Sequence, residues 1–418
     1  MKPDRLASCA ALIAFCSPFA AQATVGVFEH GNGIKSMGMG GVGYSFAEET
    51  TALGANPAHA LALGHRFDVG VDLFAAEAVA TYDGNAAGPD ESFASDGRTY
   101  YAIPQGGYSR RLSDRLGFGV TVLSAGLGPD YDGSPYERFG GSSRVSLGLA
   151  SSSVVTALAY QLNKQHTVGA SLNVGYQVLE LKGLQFLDDP AVSSAPGKVT
   201  NQGKDGAFSV GFSLGWHGQL TPWLAAGVAY RSKSWTEKHE DYRGLVAEGG
   251  RLELPAIYGG GVTLTPIRNW TLALEFQHQA YSKEPAFSNK IEKLAEGNLL
   301  GSDNGPGFGL DDANVYKIGV GWQATPKLTL RAGYTYNTVI VQRSETLFAV
   351  LGCLTTSTNY SVGATYQIDD KWEVSAFAFD TPKRSVRGEN SIPAEFGGGE
   401  ITVSDKVSGI GFSLGRRF

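Results

Sequence analysis

Three glycines, Gly38, Gly40 and Gly43, stand in the spacing G-x-G-x-x-G within the stretch Ser36-Met-Gly-Met-Gly-Gly-Val-Gly43. In a nucleotide-binding unit such a loop follows a buried strand, opens a helix and cradles a pyrophosphate on backbone N–H groups. The residues before it, TVGVFEHGNGIK at 24–35, do not read as a buried strand, and with 56 glycines in 418 residues the spacing arises easily by chance. Hydrolytic and redox chemistry has as little support. Seven histidines are scattered, H-E-x-x-H and C-x-x-C spacings do not occur, and no G-x-S-x-G elbow is expected. The expectation is a protein that is not an enzyme and carries no cofactor and no metal.

The elements around these residues explain why. The chain opens MKPDRLASCAALIAFCSPFAAQA, with Lys2 and Arg5 ahead of an apolar run and Ala21-Gln22-Ala23 at its end. That is the pattern of a secretory signal peptide, residues 1–23, cleaved after Ala23. Export removes Cys9 and Cys16 and leaves Cys353 alone, so the mature chain has no internal disulfide. Lys plus Arg (34) nearly balances Asp plus Glu (40), which excludes a basic stripe and hence nucleic acid as a partner. No later window supplies the roughly 20 apolar residues of a membrane helix.

From about residue 65 the chain alternates. Phe208, Val210, Phe212, Leu214 and Trp216 share one face of a segment whose other face holds Ser209, Gly211, Ser213, Gly215 and His217. The same period of two runs through 316–323 and 328–337. Short turns at 112–116, 162–166, 220–224, 265–270, 324–328 and 368–372 alternate with long polar stretches near 83–98, 127–142, 183–204, 236–254, 283–312, 338–355 and 381–402. Short turns at one rim and long loops at the other are the signature of a bacterial outer-membrane barrel. The count is fourteen strands, with the first near 66–82 and the last near 403–418. Trp223, Trp270 and Trp372 lie at or just after short turns, as an interfacial aromatic girdle requires, and the chain ends on Phe418 in an alternating row. The predicted fold is thus all-β: a 14-stranded antiparallel transmembrane β-barrel over 65–418, multi-pass in the Gram-negative outer membrane and in contact with its lipid, and expected to be a monomer.

Residues 24–64 lack clean alternation. A fourteen-strand barrel has a lumen wider than side chains alone can fill, so this segment is predicted to be a plug, with a short helix near 48–55 limited by Pro57. Within it the three glycines become tight-packing positions instead of nucleotide ligands.

The segments KSMGMGGVGYSFAEETTALGANPAHAL, LPAIYGGGVTLTPIRNWTLALEFQ and YKIGVGWQATPKLTLRAGYTYN, together with the signal peptide and the strand count, resemble the FadL/TodX family of outer-membrane transport proteins. The most specific element is Asn56-Pro57-Ala58, which matches the family's hatch motif. The resemblance implies a hatch over 24–64 that gates passive diffusion of long-chain fatty acids or aromatic hydrocarbons. It also implies a kink in the third strand that releases cargo sideways, here near Ser124 to Gly128. Expected gating residues are Asn56, Pro57, Ala58, Gly38, Gly40 and Gly43. Candidate ligand contacts are Val25, Val27 and Phe28 at the mature N-terminus. In the loops the candidates are Tyr131, Tyr136, Phe139, Leu184, Phe186 and Leu187. Alternation places Arg231, Lys317 and Arg331 in the lumen with Glu275, and an anionic ligand would seek such cations. Lys317 and Arg331 should lie on adjacent strands about four residues apart in height. Competing expectations are a general porin for polar solutes and a barrel serving as a platform for an enzyme or adhesin.

Overall fold

The structure is a computed structural model and describes residues 25–95, 100–142 and 144–418; the signal-peptide expectation lies outside them. Fourteen long strands form a closed antiparallel barrel, as the alternation predicts. They are β1 (Arg66–Asp83), β2 (Tyr100–Arg111), β3 (Leu116–Leu127), β4 (Ser146–Gln161), β5 (His166–Lys182), β6 (Asp205–Thr221) and β7 (Leu224–Arg231). The second half comprises β8 (Ile257–Leu264), β9 (Trp270–Gln279), β10 (Ala313–Thr325), β11 (Leu328–Asn337), β12 (Thr358–Gln367), β13 (Trp372–Asp380) and β14 (Glu400–Arg417). Each pairs with the next, and β14 returns to β1 in unbroken register from Arg66↔Arg417 to Asp83↔Glu400. Three short strands, Ser92–Ala94, Trp235–Thr236 and Arg384–Arg387, add pairing at the loop rim. No helix among the described residues is long and apolar enough to cross a membrane; crossing falls to the strands.

The alternation has the orientation lipid demands. On β6, Phe208, Val210, Phe212 and Leu214 are 38–58% exposed, while Ser209 and Ser213 beneath them are buried. Trp270 and Trp322 stack on the outer wall at 5.6 Å, and Trp223 is exposed in the β6–β7 turn. The apolar faces that would be liabilities in water are the ones a bilayer covers.

Residues 25–64 lie inside the barrel. They form a tight turn at 25–28, a single-turn helix Ile34–Met37, a 3-10 helix Thr50–Gly54 and a second single-turn helix His59–Ala62. The expected helix near 48–55 is thus a shorter 3-10 turn, and Pro57 lies outside the next helical turn, which begins at His59 with Ala58 as its N-cap. The wall admits this segment through glycines on its inner face. A Cβ at Gly215 would overlap the Asn56 side chain, one at Gly117 the Leu61 backbone, and one at Gly333 the Gly40 nitrogen.

One pair of neighbours separates early. β2 and β3 pair only from Arg111↔Gly117 to Gly106↔Val122, although β3 stays paired with β4 up to Leu127↔Leu149. Residues 123–127 therefore present a strand edge at the position where the third strand was expected to kink.

Candidate functional site

The glycine motif supplies backbone to the wall. Gly40, at φ +71°, donates its N–H to Ser361 Oγ (3.0 Å) and accepts from Thr335 Oγ1 (2.8 Å). Gly38 lies directly against Gly363, and the Gly43 N–H points at both oxygens of Glu275 (2.9 Å each). Asn56 uses its whole amide: Nδ2 donates to the carbonyls of Tyr44 (2.8 Å) and Trp216 (3.0 Å), and Oδ1 accepts from Ala58 N–H (3.0 Å). Pro57 and Ala58 press on Gly169 of β5. This ties one plug loop to another and both to β6, which is work a side chain without both donor and acceptor cannot do.

Charge fixes the rest of the segment. Lys35 and Arg66 both reach Glu373 of β13, and Arg66 also holds Asp68 (2.6 Å). Asp68 in turn accepts the Thr50 N–H (2.8 Å), and Glu49 accepts the Lys35 N–H (2.7 Å). Asp68 and Glu373 are buried and ion-paired, and the buried Glu49 carboxylate accepts backbone N–H groups instead.

Of three spaces in the barrel, two adjoin residues 25–64 and one does not. The first, a cavity beneath the extracellular loops, is almost wholly apolar: Leu127, Leu149 and Leu179 line it in cross-strand register, with Leu181, Phe287 and Phe308. The second is a chamber inside the wall, bounded by Phe28, Tyr44, Leu123, Ser153, Arg231 and Lys317 among others. The third is a vestibule under residues 39–48 at the short-turn rim, bounded by Met39, Phe46, Glu48, Thr271 and Arg331.

The candidate residues are divided among these spaces. Arg231 and Lys317 meet in the chamber. The Phe28 ring sits 4.9 Å from the Arg231 guanidinium, and Lys317 Nζ donates to the Gly41 carbonyl (2.9 Å) and Gln277 Oε1 (3.2 Å). Arg331 lies in the vestibule, paired with Glu48 and donating to Thr365 Oγ1 (2.7 Å). The expected offset is reproduced, because Lys317 faces Thr335 while Arg331 faces Gly321. Val25 and Val27 are buried. The Val27 carbonyl accepts the Gly126 N–H (2.9 Å) on the free edge of β3, and its N–H donates to Tyr281 Oη (2.9 Å).

The loop aromatics are placed elsewhere. Tyr131 and Tyr136 are fully buried and donate to the carbonyls of Val350 (2.8 Å) and Leu347 (2.6 Å). Phe139 and Phe186 pack on each other (5.6 Å) and on Phe396, and Leu184 and Leu187 are buried in the same loop core. None of these six lines the apolar cavity. The leucines that do were missed, yet they carry a signal. Leu147 and Leu149 on β4 and Leu179 and Leu181 on β5 occupy the inward phase, where, Val155 apart, the rest of each strand is small or polar.

The expectation about nucleophile spacing needs correcting. Gly-x-Ser-x-Gly does occur, at Gly211–Gly215 and Gly411–Gly415, but both sit in mid-strand. A nucleophile elbow is a sharp strand-to-helix turn, and Ser213 instead accepts a hydrogen bond from Asn173 Nδ2 (3.0 Å).

The comparisons agree with this architecture. A family model described as outer membrane protein transport protein (OMPP1/FadL/TodX) matches residues 13–418. Solved structures of similar fold include the Pseudomonas putida toluene transporter TodX (TM-score 0.69, 18% identity, covering 93% of this chain and 99% of that one). A Pseudomonas aeruginosa FadL homologue (0.67, 18%, 96% and 99%) and the Ralstonia pickettii toluene transporter TbuX (0.62, 18%, 93% and 99%) are also similar. No curated protein sequence matches the chain at a significant level.

Proposed function

The chain belongs to the OMPP1/FadL/TodX family of outer membrane transport proteins, and from that membership we propose that it takes up long-chain fatty acids by passive diffusion past an N-terminal hatch. It is an outer-membrane barrel of a transport family, not of an enzyme family. Closure of all fourteen strands within one chain supports a monomer.

The observation that carries the reading is the succession of two unlike spaces. An apolar cavity under the loops leads the sequence of sites, and a chamber holding Arg231 and Lys317 lies deeper. A hydrocarbon chain is favoured by the first, at about 25 cal/mol per Å² of apolar surface removed from water. A carboxylate is favoured by the second, where a charge-assisted hydrogen bond in a low-dielectric site is strong. One molecule with both parts is a fatty acid. TodX and TbuX are described as toluene transporters, but likeness at 18% identity carries fold and not cargo. A general porin would leave its lumen open, whereas residues 25–64 fill this one with buried side chains.

Lateral release has a physical basis in the free edge at 123–127, which the Val27 carbonyl occupies through Gly126. Pro104 on the facing stretch of β2 has no N–H to offer a partner strand. Withdrawal of residues 25–28 would expose the chamber through the wall beside Leu123, Ser124 and Ala125.

The test is uptake by proteoliposomes containing the purified protein, with oleate and toluene as separate cargoes. Oleate entry above that of protein-free liposomes, with no gain for toluene, supports the proposal. Toluene entry without oleate entry replaces it by the aromatic reading.

A further inference from the structure

At the short-turn end of the wall, outward residues of four neighbouring strands stand in one row of register: Trp372 on β13, Arg416 on β14, Phe67 on β1 and Tyr108 on β2. Arg110 is the next outward residue of β2 toward the turn and is exposed. The Arg416 guanidinium lies over the rings of Trp372 (5.0 Å) and Phe418 (4.5 Å), and its Nε is buried without a hydrogen-bond partner. Toward the middle of the wall the same face continues as Val69, Phe412 and Leu414, all apolar and exposed.

The fourteen barrel strands carry four cations in the outward phase: Arg110, Lys182, Lys406 and Arg416. Lys182 and Lys406, at the loop ends, are paired with Glu180 (2.9 Å) and Asp380 (3.3 Å). No salt bridge among the described residues includes Arg110 or Arg416. Asp369, in the turn before Trp372, spends its carboxylate on the N–H groups of Lys371 and Trp372 (2.8 Å each), and Asp114 and Asp370, exposed in the flanking turns, pair with neither arginine. We infer that Arg110 and Arg416 form an outer-wall site for the anionic headgroup of a phospholipid in the periplasmic leaflet, whose acyl chains lie along Val69, Phe412 and Leu414.

The missing counter-charge belongs to the bilayer, because a soluble acidic partner would have to reach this face through lipid. Short turns mark the periplasmic rim, and Trp and Tyr mark the level of the headgroups. An arginine there lays its stem on apolar surface while its planar fork of donors meets phosphate. β1 alone separates β14 from β2, so the two arginines start about 10 Å apart at roughly 4.8 Å per strand, and one headgroup fits between them. A headgroup that carries an amine would bring a third cation to the pair, whereas a glycerol headgroup leaves the phosphate charge uncompensated for them. The site lies outside the lumen and is independent of which cargo the barrel passes.

The test is native mass spectrometry of the purified protein in detergent, titrated with phosphatidylglycerol or with phosphatidylcholine of the same acyl chains. The Arg110→Gln/Arg416→Gln variant should bind phosphatidylglycerol at least tenfold more weakly, while its binding of phosphatidylcholine stays within twofold of wild type. Lys406→Gln, on the outer wall at the opposite rim, is the control and should match wild type for both lipids. Arg416 lies in the closing strand, so two further variants separate lipid binding from folding. Arg110→Lys/Arg416→Lys keeps both charges and should retain the preference for phosphatidylglycerol within threefold, and Arg110→Gln alone, outside that strand, should lose at least threefold. Unchanged phosphatidylglycerol binding in the glutamine variants overturns the inference. So does an equal loss for both lipids, an equal loss in the Lys406→Gln control, or a loss in the lysine variant as large as in the glutamine one.

Discussion

Glu275 and Lys317 face each other in register on β9 and β10, yet each is engaged with the plug. The carboxylate accepts the N–H groups of Gly43 (2.9 Å) and Tyr44 (2.7 Å), and the ammonium donates to the carbonyl of Gly41 (2.9 Å). Opposite charges on the wall thus grip opposite ends of neighbouring peptide groups, and residues 41–44 are fixed by wall charge.

Glu275→Ala leaves the N–H groups of Gly43 and Tyr44 without their acceptor inside the lumen. Each buried unsatisfied group costs about 1–3 kcal/mol. Amide exchange over 40–46 should accelerate by at least tenfold while the strands remain protected, as hydrogen-exchange mass spectrometry would show. Unchanged exchange would remove Glu275 as the anchor.

Arg231→Met and Lys317→Met test the head-group site. Loss of a hydrogen bond to a charged group, about 1.5–3 kcal/mol, corresponds to roughly a tenfold or greater rise in the oleate Kd, since 1.4 kcal/mol is a factor of ten. Binding of an uncharged alkane of equal length should be unaffected. Calorimetry or fluorescent-probe displacement distinguishes the two ligands, and parallel losses for both would count against a carboxylate site.

Leu149→Asn and Phe287→Ala probe the apolar cavity. The first puts a polar amide where no partner lies among the lining leucines, and the second removes a fully buried ring. Capture of oleate should weaken at least fivefold, whereas Tyr131→Phe, which keeps the ring and loses only the bonds to Val350 and Cys353, should leave capture intact.

Asn56→Ala abandons the carbonyls of Tyr44 and Trp216, and Gly215→Val drives a side chain into the space Asn56 occupies. Both should impair oleate uptake in proteoliposomes with the barrel still folded, as judged by its heat-dependent gel mobility. Normal uptake in both would remove the motif from gating.

Cys353, buried in the loop core with its thiol pushed up to about 12 by burial, should not react with maleimide at pH 8 in the native protein. The thiolate is the nucleophile, and at that pH it is scarcely populated. Labelling should become complete in denaturant; rapid native labelling would show that the loops open.

Much was legible in the alternation itself. Every strand end next to a short turn, the phase that sends Arg231, Glu275, Lys317 and Arg331 inward and the four-residue offset between the last two all follow from a period of two and antiparallel register. The loop site was not legible in the same way. Tyr131 and Tyr136 have the composition of ligand contacts, but their hydroxyls are spent on carbonyls more than 200 residues away, while the cavity is lined by leucines from strands and loops far apart in sequence.

The sequence by itself determined an exported fourteen-strand wall, the residues turned to its lumen and a non-alternating segment to fill it, because strand periodicity is local and closure needs only an even count. Tertiary structure alone decided which lumen groups meet the plug, where β2 and β3 part, and that Lys317 and Arg331 belong to different chambers. Those outcomes depend on where residues 25–64 lie against wall glycines such as Gly117, Gly169, Gly215, Gly319 and Gly333, a matter of close packing between segments that no spacing along the chain records.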